Sequence, residues 1–344
     1  MPVTQSQPIA IQAHGLRKSF RVRDQAVEAV SGLDLTVAAG QIFGFLGPNG
    51  AGKTTTLRIL TTLLPADAGE AFVAGADVVR SPQRVRRRIG YVGQLGGADG
   101  SATGRENLLL QARLYGMTAA AASSRADELI ELFDLGTFAG RVVRSYSGGQ
   151  RRRLEVALGI LHHPQVLFLD EPTTGLDPQN RANLWDQVRQ LRDGGTTVFL
   201  TTHYLDDADQ LSDRLAIVDR GRVIAEGTPA QLKQRYSGDT IVITPAGPAD
   251  SLPSLERDLA GIPFVRSTRI RDGSIRLTVT DTTRSMAAVF GALADKDVAV
   301  RAASFAQPSL DDVFLHETGR SLRDTGEHTA EPGSGQSAGE QAAA

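Results

Sequence analysis

The segment Gly47-Pro48-Asn49-Gly50-Ala51-Gly52-Lys53-Thr54-Thr55 has the residue types and spacing to hold phosphate. It follows the apolar run Gln41-Ile42-Phe43-Gly44-Phe45-Leu46 and precedes the helix-like Thr56-Leu57-Arg58-Ile59-Leu60. Strand, glycine loop and helix in that order are the parts of a phosphate-binding P-loop. Glycines let backbone N–H groups converge on phosphate oxygens, and the helix N-terminus adds a favourable dipole. Lys53 would neutralise the β- and γ-phosphates, and the Thr54 hydroxyl would ligate Mg²⁺. The expected ligand is a nucleoside triphosphate with Mg²⁺.

Two further segments could act on it. Val166-Leu167-Phe168-Leu169-Asp170-Glu171 is an apolar strand ending in two acids. Asp170 is placed to hold Mg²⁺, directly or through water, and Glu171 to act as the general base that polarises an attacking water. Tyr146-Ser147-Gly148-Gly149-Gln150 opens a helix whose apolar stripe runs through Leu154, Leu158 and Leu161 and stops before Pro164. A serine and two glycines at a helix start are a second anion-binding device. Standing alone, they would read as a simple N-cap.

These groups need elements to carry them. Ile9 and Ile11, then Leu33, Leu35 and Val37, alternate at strand period, and further strands are expected at 70–73, 89–92, 166–169 and 198–201. Thr103 with Glu106 forms a capping box for a helix through Leu108 to Leu114. A second helix is expected from Ser124 through Leu129, Ile130, Leu132 and Phe133 to about Gly136. Asp177-Pro178 starts a third, with Leu184, Val188 and Leu191 as its buried stripe. The fold expected is therefore α/β, a P-loop core interrupted by a helical lobe at about 96–163.

The core is expected to occupy 1–238, its last helix opening at Thr228-Pro229 and closing at Ser237-Gly238. Strand-like 240–244, helix-like 252–259, strands 264–270 and 274–280 joined by Asp272-Gly273, helix 286–293 and strand 298–305 follow. That β-α-β-β-α-β order predicts a small ferredoxin-like α+β module over 239–318. A short helix at Leu310-Asp311-Asp312-Val313-Phe314-Leu315 ends it, and 319–344 reads as a disordered tail.

Composition narrows the function classes. The chain has 344 residues, 41% hydrophobic and 22% charged, enough for two domains with sizeable cores. Its formal charge of -2 gives no strong positive field for a dedicated nucleic-acid binder. The arginines at 84, 86, 87 and 88 and at 151–153 therefore read as solvated faces. Absence of cysteine excludes disulfides and thiol catalysis. The first eight residues carry no apolar signal region, and no run approaches the ~20 apolar residues of a membrane span.

Taken together, GPNGAGKTT, YSGGQ, VLFLDEP, Gly175-Leu176-Asp177 and Thr201-Thr202-His203 resemble the nucleotide-binding subunit of an ATP-binding-cassette transporter, over residues 10–235. The resemblance implies that ATP and Mg²⁺ are bound and ATP hydrolysed. It implies a head-to-tail homodimer in which the signature of one copy covers the γ-phosphate held by the P-loop of the other. Gly47, Pro48, Asn49, Gly50, Ala51, Gly52, Lys53, Thr54 and Thr55 would hold the phosphates. Thr54, Gln94 and Asp170 would attend Mg²⁺, Glu171 would be the base, and His203 would contact the γ-phosphate. Ser147, Gly148 and Gly149 would act in trans, Asp177 would lie at the dimer seam, and Phe20 would stack on adenine. Gln94 follows the strand 89–92 and precedes a glycine-rich stretch, so it could report loss of the γ-phosphate as a rotation of the lobe.

Gly104-Arg105-Glu106-Asn107-Leu108, Leu184-Trp185, Tyr204-Leu205-Asp206-Asp207-Ala208, Ile224-Ala225-Glu226-Gly227-Thr228-Pro229 and Pro308-Ser309-Leu310-Asp311-Asp312-Val313-Phe314-Leu315 make the chain similar to the daunorubicin-resistance subfamily. Such subunits serve exporters of drugs, polyketides or lipids through a separate permease, from the cytoplasmic face of the membrane. Gln150 departs from the subfamily's usual methionine without affecting a role. The alternative is a cassette ATPase acting on nucleic acid or ribosomes, and the coiled-coil insertions, zinc cysteines or second cassette of those relatives are missing here. A ligand-gated regulator is a third reading, but the C-terminal module shows no convergent polar cluster.

Overall fold

The computed structural model describes residues 8–22, 25–94, 96–236, 239–246, 251–306 and 309–322. Strands β1 (Ile9–Val22) and β2 (Gln25–Ala38) pair antiparallel, and β3 (Ile42–Leu46) leads into α1 (Lys53–Leu60). Next come β4 (Ala68–Val73), β5 (Ala76–Asp77), the short α2 (Pro82–Arg86) and β6 (Ile89–Val92). Helices α3 (Gly104–Leu114), α4 (Ala119–Leu132) and α5 (Gly148–Ile160) form the lobe. The core resumes with β7 (Val166–Asp170), α6 (Pro178–Asp193), β8 (Thr197–Thr202), α7 (Leu205–Leu211), β9 (Arg214–Asp219), β10 (Arg222–Gly227) and α8 (Pro229–Tyr236). The chain continues through β11 (Asp239–Pro245), α9 (Leu252–Ala260), β12 (Val265–Arg271), β13 (Ser274–Val279), α10 (Thr282–Asp295), β14 (Val300–Ala306) and α11 (Leu310–Thr318).

Three sheets result. The central one has the order β10-β9-β3-β8-β7-β6, parallel except for the β10–β9 pair. Its middle strands are apolar throughout because both faces are covered. Ile42, Leu167, Leu169, Val198 and Leu200 point into the cluster shared with the lobe. Their neighbours Phe43, Phe45, Val166, Phe168 and Phe199 point into the opposite cluster, as strand alternation requires. That second cluster is closed by a separate antiparallel sheet, β2-β1-β4-β5. The strands expected near Ile9, Leu33 and 70–73 thus form, but in their own layer outside the parallel core.

Local signals set most boundaries. Thr103 and Glu106 make the reciprocal capping box on α3, and the side chains of Thr118 and Asp177 cap α4 and α6. Helix α4 starts five residues before Ser124: Thr118 accepts from Ala121 N–H, and the alanines that follow are strong helix formers. In the last sheet, order β12-β13-β11-β14, all pairs are antiparallel, and α9 and α10 cover one face over Ile241, Ile243, Ile275, Leu277 and Val279. Asp272 and Gly273 take φ of 51° and 71°, the left-handed pair that a two-residue hairpin turn needs.

Helix α11 does not pack in that module's cluster. Leu310, Val313 and Phe314 bury against Leu46, Ala208, Leu215, Ile217 and Leu232 of the cassette. Residues 319–322, expected to be part of a disordered tail, continue this contact. Leu322 is buried in the same cluster, and the Asp311 carboxylate accepts from Ser321 Oγ and Leu322 N–H, each at 2.9 Å. Residues 323–344, the helix end expected at Ser237-Gly238 and the polar start at 1–7 lie outside the described residues. Phe314 is fully buried, so Phe314→Ala is expected to cost about 3–5 kcal/mol in denaturant unfolding monitored on the whole chain.

Candidate active site

The parallel order places the C-terminal ends of β3, β8 and β7 side by side, with Leu46 opposite Thr202 and Asp170 opposite Thr201. Side chains that follow those ends meet at one edge of the sheet, the usual ligand side of such sheets. The loop after β3 wraps onto α1 through Gly52, whose φ of 96° is left-handed and whose Cβ, if present, would sit 2.1 Å from Ala29 O. No side chain caps α1, so its first N–H groups are left for another acceptor. Lys53 is buried at 4% exposure and donates to Gly47 O at 2.9 Å and Pro48 O at 3.1 Å.

A single carboxylate gathers the chemistry. Glu171 Oε1 lies 3.3 Å from Lys53 Nζ, while Oε2 accepts from Gln94 Nε2 at 2.9 Å and lies 3.1 Å from His203 Nδ1. Glu171 holds a φ of 45°, unfavourable for a side chain of its size, and is pinned there by N–H bonds to Thr201 O and Thr201 Oγ1. Burial alone would raise its pKa. The His203 contact and the Lys53 ammonium outweigh burial and hold the carboxyl down at about 2. At Lys53 burial wins instead, and lowers its pKa against the pull of Glu171 and Asp170.

Asp170, 2% exposed, accepts from Thr54 Oγ1 at 3.2 Å and from Thr201 Oγ1 at 2.6 Å. The structure thus brings Lys53, Thr54, Gln94, Asp170, Glu171 and His203 together from four separate stretches of sequence. Ser147 stands apart from that cluster. It is exposed at the cap of α5 and forms a reciprocal box with Gln150. Gly149 is buried, and a Cβ there would meet Asn180 at 2.4 Å. Asn180 in turn donates to both oxygens of Asp177, so the signature and Asp177 form one continuous edge. Gly148 borders a cavity of about 490 Å³ with Gln94, Glu171 and Gly175, and no residue of 47–55 lines it. Phe20 is 39% exposed on β1, where a core phenylalanine would be covered, and Lys18 Nζ lies 5.8 Å from its ring.

Three supporting residues escaped the sequence reading. Arg152 belongs to a run read as solvated, yet it is 7% exposed. Its guanidinium donates to Gly93 O, Pro172 O and Asp170 O and pairs with Glu155, tying α5 to both the Gln94 and Glu171 segments. Thr201 bridges the two acids, as described above. Asp207 is fully buried and accepts from Thr173, Thr202 and Trp185, which locks the stretch after Glu171 to the one before His203. Burial pushes the Asp207 pKa up despite those donors. An acid four residues after His203 was the only available signal.

Residues 30–174 match the family described as ABC transporter, and residues 227–318 match ATP-binding protein DrrA1-3-like, C-terminal domain. The chain is 49% identical over 316 residues to the daunorubicin resistance ATP-binding protein DrrA3 of Streptomyces coeruleorubidus, covering 91% of this chain and 97% of that one. It belongs to the ABC transporter ATP-binding subunits of the daunorubicin-resistance type. This ABC subunit is also 47% identical over 315 residues to the daunorubicin/doxorubicin resistance protein DrrA of Streptomyces peucetius, covering 92% of this chain and 94% of that one. It is 40% identical over 296 residues to the Nod factor export ATP-binding protein I of Burkholderia lata, covering 86% and 93%. Among solved structures, the ATP-binding cassette MJ0796, a dimer bound to ADP and Pi, aligns with a TM-score of 0.59 at 24% identity over 63% of this chain and 98% of its own. That likeness shows the cassette fold. The ABC subunit therefore binds nucleotide, hydrolyses ATP and energises export, and the nucleic-acid or ribosome alternative is not favoured.

Proposed function

We propose that two copies of this chain enclose two ATP molecules head to tail, and that the cycle drives a separate integral-membrane permease from the cytoplasmic face. One observation carries the reading. Lys53, Gln94 and His203 converge on Glu171 within one chain, while Ser147 stays exposed and outside that cluster. The phosphate-holding half and the covering half are thus on different edges, which suits a site completed by a second copy.

In this reading the backbone of residues 47–55 cradles the phosphates, and Phe20 stacks on the adenine. Lys53 and His203 now hold Glu171, and a γ-phosphate would compete for both side chains. Their transfer would let the Glu171 pKa rise from about 2 toward its ordinary value and make it a better proton acceptor. The hard oxygens of Thr54 and Asp170, 3.2 Å apart, fit Mg²⁺, with Gln94 attending it. Among the described residues no group of three His, Cys, Asp or Glu is placed to hold a metal ion by itself, so such an ion would keep phosphate and water as its other ligands. Bound there, Mg²⁺ would neutralise phosphate charge.

The residues 147–149 would cover the partner's γ-phosphate, with Asp177 beside them at the seam. Switching an assembly from mostly open to mostly closed takes roughly 5.5 kcal/mol of differential affinity. Contacts made only in the closed pair would supply it. Among the described residues no helix is long and apolar enough to cross a membrane, so the permeation path belongs to the permease. The daunorubicin and doxorubicin resistance and Nod factor export of the relatives support a drug, polyketide or lipid cargo selected by that permease.

The test is the dependence of turnover on protein concentration. Hydrolysis per molecule is expected to rise steeply as the chain is concentrated and to saturate once it dimerises with ATP. A rate per molecule unaffected by dilution, from a species that stays monomeric by light scattering, overturns the composite site.

A further inference from the structure

The Asp207 carboxylate touches none of the groups that hold or attack phosphate, yet it joins three segments that position them. Its Oδ2 accepts from the hydroxyl of Thr173, two residues after Glu171, and from Thr202 Oγ1 at 3.2 Å, directly before His203. Thr202 Oγ1 accepts in turn from Tyr204 N–H at 2.9 Å, so both neighbours of His203 are fixed at this point. Asp207 Oδ1 accepts from Trp185 Nε1 on α6 at 3.1 Å. Asp207 is fully buried, and a buried carboxylate is a poor choice for stability alone, since apolar side chains of similar volume often do as well. Its donors fix instead where those segments stand relative to one another.

Arg181 stands one step from that carboxylate. Its backbone N–H donates to Asp177 O at 2.9 Å, so it moves with the edge assigned to the dimer seam. Its guanidinium lies 4.7 Å from the centre of the Tyr204 ring, and that ring lies 4.1 Å from the ring of His203. Arg181 Nε is buried, has no hydrogen-bond partner among the described residues, and lies 4.0 Å from Asp207 Oδ1. That gap is too long for a hydrogen bond, and a shift of about 1 Å would close it with a charge-assisted one. An orphaned donor facing a carboxylate across such a gap has two arrangements, which coupling between sites requires.

We infer that Asp207 is a positioning residue for ATP hydrolysis, and that Arg181 couples it to the dimer seam. Movement of α6 at the seam draws Arg181 onto Asp207, and the bonds from Thr173 and Thr202 carry the change to the stretches bearing Glu171 and His203. The inference rests on the paired reading above for the seam alone; the ties from Asp207 to the active-site stretches lie within one chain.

Trp185 is the chain's single tryptophan, so its emission reports on this carboxylate without a label. In the full-length chain, Arg181→Gln is expected to lower kcat by about tenfold to a hundredfold, the loss that a displaced catalytic group brings, with the ATP concentration for half-saturation unchanged. Arg181→Lys keeps the charge and should recover a large part of that rate. In the Glu171→Gln chain, Mg-ATP is expected to shift Trp185 emission as the pair closes. With Arg181→Gln added, the pair should still form by gel filtration, without that shift. Asp207→Asn should lower kcat at least as far; if it does not fold, Arg181, which is partly exposed, still decides. Wild-type kcat in Arg181→Gln, a loss confined to ATP affinity, or an emission shift that survives the substitution overturns the inference. If Glu171→Gln never pairs in Mg-ATP, the ATP sandwich fails and the kcat of Arg181→Gln decides alone: a loss keeps both residues in their positioning role, and wild-type kcat ends it.

Discussion

Glu171→Gln is expected to lower ATP turnover by about 10²–10⁴-fold while ATP binding survives, the range lost with a positioned general base. Glutamine keeps the shape and can still accept from Gln94, but it cannot take a proton from water. Turnover should fall through kcat, with little change in the ATP concentration for half-saturation. ATP that stays uncleaved should hold the pair closed, so gel filtration with Mg-ATP should give a dimer for the variant and mostly monomer for wild type. Wild-type turnover in the variant would remove Glu171 from the reaction.

The same substitution has a second readout without nucleotide. The Glu171 carboxyl is held below its ordinary value of 4.5, at about 2, so its ion pairing stabilises the folded chain above pH 4.5 and is lost as pH falls toward 2. Glutamine lacks that contribution and leaves Lys53 buried with no charged partner at Glu171. The nucleotide-free variant should therefore be less stable than wild type at neutral pH, and the gap should narrow as the solution is acidified through that window.

Ser147→Arg is expected to abolish concentration-dependent hydrolysis while the monomer binds ATP as before. Ser147 is exposed, and its local work is the cap it shares with Gln150, worth about 1 kcal/mol, so the fold should survive. The added bulk and charge stand where the partner's γ-phosphate must approach. Ser147→Ala separates the two effects: it loses the cap without the bulk, and should retain far more turnover. Combined with Glu171→Gln, the arginine variant should stay monomeric in Mg-ATP. Full hydrolysis by Ser147→Arg would mean that the signature covers no phosphate in trans.

Contiguous chemistry was legible from the residues alone. The loop at 47–55, the acids at 170 and 171, the capping residues Thr103 and Asp177 and the Asp272-Gly273 turn act through neighbours within a few positions, so their types and spacing state their conformation. The order of strands and helices, and hence the cassette with its inserted lobe, followed from the same local periodicities. Long-range pairings were not legible. Lys53 meets Glu171 across 118 positions and Thr54 meets Asp170 across 116 only because the sheet order sets β3, β8 and β7 side by side, and Arg152 reaches Gly93 across 59 only because α5 packs on β6. An arginine in a basic run has the same letters whether it is solvated, like Arg84, or buried against three carbonyls, like Arg152. The same holds for α11: its apolar stripe declared a helix that must be covered, but only the fold decided that the cassette covers it, since burial has no direction along the chain.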